Sequence, residues 1–309
     1  MNLYPTIMPK PLCPGDLIGL AAPAGTFDIF KLAKGLAVYR RMGFRVVNPI
    51  NIFNRKGYLA GDDETRASVL QTLFEDPEIS GIVCVRGGFG SIRTLENLQW
   101  DRIRNHPKPI VGFSDVTALL NTIYNRCGMV AFHGPMAASI SQLDPESVSS
   151  LYHTITGGEG LSVIPKAPKV IFPGTVTAPL MGGNLTTLCH MIGTPFAPCF
   201  RGHILFLEDR GEAVYRIDRM LTQLRLAGCF EAIRGVALGM FTQCGEERQL
   251  ETVFKKVFGT LGVPVLAGFP IGHGDENHTL PVGAVATLDT DRGGIFMRFP
   301  PNNPRAGLG

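Results

Sequence analysis

The sequence of 309 residues lacks the features that mark several common classes of protein. It has no dense run of lysine and arginine, and its formal net charge is only +3, so neither nucleic acid nor an anionic membrane is indicated as a partner. Charged residues are only 18% of the chain and hydrophobic residues are 45%, which is typical of a globular protein and argues against disorder. The chain has no internal repeat and no low-complexity segment.

Long apolar runs and closely spaced cysteines are also missing. The first apolar run, residues 17–22, ends at Pro23 and follows a single basic residue, Lys10, so it is too short for a membrane span and lacks the basic start of a signal peptide. The seven cysteines are scattered and form no C-x-x-C pair. Such a set predicts reduced, mostly buried thiols, and we therefore expect a cytoplasmic protein.

Motifs that bind metals or nucleotides are absent as well. The sequence contains no H-E-x-x-H, no His/Cys/Asp cluster with ligand spacing and no Walker A pattern. We therefore expect neither a metal nor a cofactor.

The patterns that are present alternate between strand and helix. In the first half, strands are expected at residues 16–22, 45–49, 81–85, 109–113 and 129–132, and helices at residues 30–42, 63–74, 91–98 and 116–126. Strands that alternate with helices predict a parallel sheet covered by helices.

The pattern weakens over residues 141–174 and becomes regular again from residue 175. Two strands close together near the end, at residues 284–289 and 294–299, have no helix between them, which predicts a mixed α/β unit. We therefore divide the chain into an N-terminal domain (1–150), a linker (151–174) and a C-terminal domain (175–309).

The segment KPIVGFSDVTALLN, residues 108–121, puts Ser114 at a sharp turn from a strand into a helix. There the hydroxyl is held out of the sheet and the following N–H groups are free to bind an anion. Taken alone, the segment favours a simple helix cap over a nucleophile, because serine caps are common. It also departs from the G-x-S-x-G elbow, since Val116 stands where the second glycine would be.

A second candidate element is the glycine-rich loop at residues 86–90, RGGFG, which directly follows the apolar run GIVCV. Its N–H groups suit an anion, and it shares the carboxyl ends of the predicted strands with Ser114, where ligands of open parallel sheets bind. A dinucleotide site is the rival interpretation, but Arg93 stands where the third glycine of G-x-G-x-x-G is needed. A tight turn without a ligand is the other alternative.

A serine nucleophile needs a base and an acid that orients it. Among the seven histidines, His133 lies at a predicted strand end near Ser114 and His273, flanked by glycines, follows another, and the residues alone do not separate them. Glu208 and Asp209 follow the apolar run at residues 204–207 and fit the orienting acid, although a solvated acidic pair at a strand end is also common.

Six segments together resemble L,D-carboxypeptidases of the serine peptidase type, in the order found in that family. They are residues 85–90 (VRGGFG), 112–115 (GFSD), 133–136 (HGPM), 182–185 (GGNL), 206–209 (FLED) and 272–274 (GHG). The resemblance covers nearly the whole chain. It implies an N-terminal flavodoxin-like or glutaminase-like parallel-sheet domain and a C-terminal swivelling mixed α/β domain.

The resemblance also implies roles for individual residues. Ser114 would be the nucleophile of the N-terminal domain, and the C-terminal domain would supply His273 as base and Glu208 as its orienting acid. The oxyanion donors would be the N–H of Asp115 and that of Gly87 or Gly88. His133 would then be a structural or pocket-lining residue.

The function that the resemblance implies is removal of the terminal D-alanine from a small peptide, a murein tetrapeptide, in the recycling of the cell wall. An arginine or backbone N–H groups would bind the terminal carboxylate. The family also suggests a homodimer.

Three rival functions follow from the same residues. The family includes amidases that inactivate peptide-nucleotide antibiotics, but these need an aromatic platform in the second half, whereas the single tryptophan, Trp100, lies in the first. A non-catalytic module that binds an anion would use Ser114 only as a cap. A nucleotide-dependent enzyme would use the loop at residues 86–90.

Overall fold

Two β-sheets organise the chain in the computed structural model, which describes residues 4–158 and 160–298. The first half contains β1 (Leu17–Ala21), α1 (Ile29–Arg41), β2 (Arg45–Val47), α2 (Asp63–Glu75), β3 (Gly81–Cys84), α3 (Ser91–Thr94), α4 (Trp100–Asn105), β4 (Ile110–Gly112), α5 (Thr117–Cys127) and β5 (Ala131–His133).

The second half begins with α6 (Pro145–Ile155), β6 (Gly160–Val163), β7 (Lys169–Phe172), β8 (Thr175–Asn184), α7 (Leu185–Met191), β9 (Ile204–Arg210) and α8 (Val214–Leu226). It continues with β10 (Gly235–Thr242), α9 (Glu247–Phe258), β11 (Val265–Ala267), β12 (Leu280–Val282), β13 (Val285–Asp289) and β14 (Gly294–Arg298).

The first sheet has six strands in the order β12-β5-β4-β3-β1-β2, and all of its strands are parallel except β12. Its central strand β3 is buried along its whole length, as expected for a strand with helices on both faces. The helices begin at recognisable signals: α2, for example, starts after Asp62, whose side chain accepts a hydrogen bond from the N–H of Thr65.

The second sheet has eight strands in the order β6-β14-β13-β8-β9-β10-β11-β7. Its four central strands, β8 to β11, are parallel, and its outer strands are antiparallel. The predicted α/β class with a mixed second sheet is therefore confirmed. Each sheet has its own hydrophobic core of buried side chains.

The segment predicted as a linker, residues 151–174, is more regular than expected. It contains the end of α6 and the strands β6 and β7, which lie at the two edges of the second sheet. Each strand has only four residues, and such short edge strands leave a weak pattern in the sequence. The start of α6 was detectable, since Asp144 caps it and Pro145 occupies its first turn. The domain boundaries at 150 and 175 stay a prediction.

Strand β12 was also missed. It lies beyond His273 in the chain but joins the first sheet, where Leu280 pairs with His133. The strand has three residues, and one of them is Pro281, which hides the pattern because proline is tolerated only in edge strands.

Helix α5 and strand β8 join the two sheets through buried hydrogen bonds. The side-chain amide of Asn121 donates to the carbonyl of Gly182 at 2.9 Å and accepts from the N–H of Gly182 at 3.3 Å. The hydroxyl of Thr117 accepts from the N–H of Asn184 at 3.1 Å. The glycines allow this approach, because a Cβ on Gly183 would lie 2.5 Å from Oγ1 of Thr117.

Replacing Asn121 by alanine should leave both polar groups of Gly182 without their buried partner. A buried unsatisfied group costs about 1–3 kcal/mol, so we expect the free energy of unfolding to fall by roughly 2–4 kcal/mol in urea denaturation. The matched control is Asn125→Ala, one turn later on the same helix and only half-buried, which should lower it far less. Equal decreases in the free energy of unfolding of the two variants would contradict the proposed role of Asn121 in the contact between α5 and β8.

Candidate active site

Ser114 sits at the turn between β4 and α5, and its backbone has a φ of +62°, in the left-handed region. An L-residue there is strained by about 1–2 kcal/mol. The turn packs tightly against the end of β4, since a Cβ on Gly112 would lie 2.6 Å from Cγ1 of Val116. The Ser114 side chain makes no helix-cap hydrogen bond, so the capping role that the segment alone favoured is not what the structure contains.

The Ser114 hydroxyl instead contacts His273. Nε2 of His273 lies 2.9 Å from Oγ of Ser114, and Nδ1 of the same ring lies 2.7 Å from Oε2 of Glu208. Glu208 is fully buried and Ser114 and His273 are half-buried. The structure therefore brings together the three residues that the family resemblance named: Ser114 follows β4, Glu208 is on β9, and His273 is in the loop between β11 and β12.

The close contact between His273 and Glu208 depends on Gly272. Its φ is +107°, and a Cβ at this position would lie 2.4 Å from Oε2 of Glu208. The N–H of Gly272 donates to Oδ1 of Asn277 at 3.0 Å, and the N–H of Asn277 donates to Oγ of Ser147 on α6 at 2.8 Å. The loop that carries His273 is thus supported from α6.

The glycine-rich loop faces Ser114 across a narrow gap. A Cβ on Gly87 would lie 3.0 Å from Oγ of Ser114 and 3.4 Å from the N atom of Asp115. Within the described residues, the N–H groups of Gly87, Gly88 and Asp115 donate to no acceptor. The loop and the turn therefore border one space with free N–H groups, which is the arrangement that an oxyanion needs.

Asp115 ties this loop to the turn. Its carboxylate accepts a hydrogen bond from the N–H of Ser91 at 2.8 Å, and its carbonyl accepts one from the Ser91 hydroxyl. Burial raises the pKa of Asp115, and the hydrogen bonds from Ser91 counteract part of that effect. Since Ser91 follows the glycine loop directly, these contacts hold the loop and Ser114 in a fixed relation.

Two family models match the chain, one described as the LD-carboxypeptidase N-terminal domain over residues 18–134 and the other as the LD-carboxypeptidase C-terminal domain over residues 177–288. This chain belongs to the LD-carboxypeptidase family. It is therefore a carboxypeptidase of the serine type, as predicted from the sequence.

Relatives named for their functions support the family assignment. The murein tetrapeptide carboxypeptidase of Pseudomonas aeruginosa is 35% identical over 77% of this chain and 81% of its own. The microcin C7 self-immunity protein MccF of Escherichia coli is 28% identical over 94% of this chain and 95% of its own.

Solved structures agree with the fold. The muramoyltetrapeptide carboxypeptidase of Oxalobacter formigenes matches with a TM-score of 0.81 and 29% identity, over 92% of this chain and 99% of that one. MccF in complex with glutamyl sulfamoyl guanosine matches with a TM-score of 0.87 and 26% identity, over 94% of this chain and 98% of that one.

In this LD-carboxypeptidase, Ser114 and His273 lie in a cleft of about 480 Å³. The other residues that line it are Asp28, Lys31, Val85, Arg86, Gly87, Gly88, Phe113, Met136, Ala138, Ser139, Gln142 and Arg210. Three of these residues are cationic: Lys31, Arg86 and Arg210. Lys31 and Arg210 were not among the site residues expected from the sequence. The signal for Arg210 was its place two residues after Glu208, which puts both side chains on the same face of a strand.

The remaining histidine candidate, His133, is fully buried and lies between the rings of Phe113 and Phe206, with centroids at 5.9 and 5.1 Å. Neither ring nitrogen has a hydrogen-bond partner within the described part of the chain. Burial, with a smaller contribution from His273, lowers the pKa of His133 to about 3. This residue is therefore neutral at ordinary pH and does not contact Ser114.

Both acids at the end of β9, Glu208 and Asp209, are buried rather than solvated. Asp209 accepts hydrogen bonds from the side-chain amide of Asn184 at 3.1 Å and from the N–H of Thr186 at 2.9 Å. Burial raises the pKa of Asp209, and the hydrogen bonds from Thr186 counteract part of that effect. Glu208 and Asp209 thus point to opposite faces of β9 and serve different contacts.

The seven cysteines are free thiols, and four of them are buried: Cys84, Cys127, Cys189 and Cys244. No helix in the described residues is long and apolar enough to cross a membrane.

One group of side chains has the composition of a metal site. Ligand atoms of Asp144, Glu146 and His278 lie within 4.8 Å of one another. However, the two carboxylate oxygens of Asp144 already accept hydrogen bonds from the N–H groups of Ser147 and Glu146 at the start of α6. This group lies outside the cleft that contains Ser114.

His133 should make the stability of the protein depend on pH. Its folded pKa, about 3, lies below the value of about 6.5 for an unfolded histidine, so the unfolded state binds the additional proton between these values. Stability should therefore fall as the pH drops from about 6.5 towards 3, by up to about 1.4 kcal/mol per pH unit from this group.

The measurement is the free energy of unfolding against pH for the wild type and for His133→Leu, in which this contribution should disappear. His153→Leu, at an exposed histidine, should keep the wild-type slope. If His133→Leu also keeps that slope, the neutral state of His133 is disproved.

Proposed function

We propose that this chain is a serine L,D-carboxypeptidase that removes the terminal D-alanine from murein tetrapeptides during cell-wall recycling in the cytoplasm. The observation that carries the proposal is the continuous chain of contacts from Oγ of Ser114 through the His273 ring to Oε2 of Glu208. Support comes from the similarity to a murein tetrapeptide carboxypeptidase and to a muramoyltetrapeptide carboxypeptidase.

In the proposed mechanism, Oγ of Ser114 attacks the carbonyl carbon of the bond to D-alanine while Nε2 of His273 takes the hydroxyl proton. His273 then returns this proton to the nitrogen of the leaving D-alanine as the C–N bond breaks, leaving an ester on Ser114. Water attacks the ester with His273 again as the base, and His273 returns that proton to Oγ of Ser114 as the shortened peptide leaves with a new carboxylate. Glu208 accepts the Nδ1–H bond, holds the tautomer and stabilises the imidazolium that forms.

The negative charge that develops on the carbonyl oxygen would be stabilised by the N–H of Asp115 and that of Gly87 or Gly88. These donors border the gap in front of Ser114, and they are fixed by the hydrogen bonds between Asp115 and Ser91. Preorganised donors of this kind lower the barrier because they need no rearrangement during the reaction.

A homodimer stays a prediction from the family resemblance.

The second candidate function is an amidase that inactivates a peptide-nucleotide antibiotic. It is favoured by the similarity to MccF, which has been solved with glutamyl sulfamoyl guanosine. We rank it second because the single tryptophan, Trp100, packs against Phe196 with ring centroids at 6.4 Å and is absent from the lining of the cleft.

The first test is mass spectrometry of a murein tetrapeptide that ends in D-alanine, incubated with the wild type and with Ser114→Ala in the presence of a chelator. We expect the wild type alone to release one alanine, because the proposed nucleophile is the Ser114 hydroxyl and requires no metal. An intact peptide with both proteins would favour the amidase, and cleavage by Ser114→Ala would eliminate Ser114 as the nucleophile.

A second test separates the two histidines. Loss of a base that acts within a triad lowers turnover by roughly 10⁴- to 10⁶-fold, and we expect this for His273→Ala. His133→Ala should reduce kcat far less, since His133 does not contact Ser114. Steady-state kinetics on the tetrapeptide provide the measurement, and a severe loss at His133 with a mild one at His273 would reverse the assignment.

A third test concerns the oxyanion donors. Gly87→Ala would place a methyl group about 3 Å from Oγ of Ser114, in the space that the oxyanion needs. We expect kcat to fall by about 10²-fold or more. The same methyl group would lie 2.9 Å from Cβ of Ser114, so the circular dichroism spectrum and the melting temperature are measured to verify that the variant is folded. Full activity in Gly87→Ala would show that the oxyanion does not bind beside Gly87.

A further inference from the structure

Three cationic side chains line the cleft, and they come from different parts of the fold. Lys31 is in the first turn of α1, Arg86 follows β3, and Arg210 ends β9. The acidic residue of the lining, Asp28, already accepts hydrogen bonds from the N–H groups of Phe30 and Lys31 at the start of α1. The cleft is therefore suited to a substrate with carboxylates, and the question is which cation binds which carboxylate.

Arg210 differs from Arg86 in what its guanidinium contacts. Arg86 donates a hydrogen bond to the carbonyl of Thr26, so part of its capacity is used within the protein. The Arg210 guanidinium is exposed and has no hydrogen bond or ion pair within residues 4–158 and 160–298.

The acids closest to Arg210 in the sequence are engaged elsewhere. Asp209 accepts from Asn184 and Thr186, and Glu212 forms an ion pair with Arg216 at 3.4 Å. The full donor set of Arg210, which matches a carboxylate in two-point geometry, is thus available in the cleft.

The backbone of β9 fixes the side of the cleft to which Arg210 belongs. Alternate residues of a strand face the same side of the sheet, so Arg210 projects on the side of Glu208. Glu208 is the residue that contacts Nδ1 of His273. Arg210 therefore lies on the His273 side of the cleft, whereas Arg86 belongs to the opposite wall with the glycine loop.

In the proposed reaction, His273 hands its proton to the nitrogen of the leaving D-alanine. The leaving residue must therefore lie beside His273, with its free carboxylate on that side of the scissile bond. The end of β9 is also rigid: the N–H of Arg210 donates to Oδ1 of Asp209 at 2.8 Å, and the N–H of Gly211 donates to the carbonyl of Thr242 at 2.9 Å.

We propose that Arg210 binds the carboxylate of the leaving D-alanine and thereby restricts cleavage to the end of a peptide chain. This inference rests on the proposed function. Arg86, on the opposite wall, is available for a carboxylate in the part of the peptide that stays on Ser114.

The test compares two substrates, the tetrapeptide with a free C-terminal carboxylate and the same peptide with a C-terminal carboxamide. Four proteins are used: the wild type, Arg210→Gln, Arg210→Lys and the matched control Arg86→Gln. For each, kcat/KM is measured on both substrates, and circular dichroism verifies that the variant is folded.

We expect the wild type to prefer the free acid by roughly 10- to 100-fold, the range typical of one lost hydrogen-bonded charge pair. In Arg210→Gln this preference should shrink to about one, because activity on the acid falls much more than activity on the amide. Arg210→Lys should retain part of the preference, since it keeps the charge but not the planar fork. Arg86→Gln should keep the wild-type ratio, even if its activity on both substrates falls.

The opposite pattern, with the preference lost in Arg86→Gln and kept in Arg210→Gln, would overturn the inference while leaving the proposed function intact. Equal wild-type activity on the acid and the amide would also overturn it. A wild type that cleaves neither peptide would reject the proposed function itself, and the inference with it.

Discussion

The arrangement of the active site depends on the contact between α5 and β8. Ser114 precedes α5 on the first sheet, whereas Glu208 is on β9, the neighbour of β8 in the second sheet. The hydrogen bonds between the Asn121 side chain and the backbone of Gly182 fix the helix against the strand. A hydrogen bond from Ser114 to His273 tolerates an error of only a few tenths of an ångström, so the site needs the two sheets to be held as closely as this contact holds them.

Glycine is required at two places in the site for a steric reason. Gly87 has to leave room in front of Ser114, and Gly272 has to let the His273 loop approach Glu208, where a methyl group would overlap Oε2. These two positions come from different sheets, yet both keep side-chain atoms out of the space around the reacting groups. Lys31 and Arg210 line the same cleft as Ser114 and His273, so its wall offers positive charge to a peptide with carboxylates.

Much of this architecture could be predicted from the sequence, because it rests on local patterns. The turn at Ser114 and the glycine loop follow neighbouring parallel strands, β3 and β4, as the alternation of strands and helices indicates. The choice of His273 over His133 required the family resemblance, since burial between Phe113 and Phe206 has no local signal. Strand β12 was missed because three residues carry little periodicity, whereas helix α6 was missed although Asp144 and Pro145 mark its start. Arg210 was missed because its spacing from Glu208 becomes informative only when the fold places both near the cleft of Ser114 and His273.

Strand β12 attaches the His273 loop to the first sheet as well as to the second. On one side the loop continues from β11, a strand of the second sheet, and on the other it enters the first sheet, where Leu280 pairs with His133. Residues 268–279 are thus a tether between the two sheets, and the imidazole is part of that tether. A rotation of one sheet against the other would move the two ends of this tether apart or together, so the position of the imidazole depends on how the two sheets are aligned.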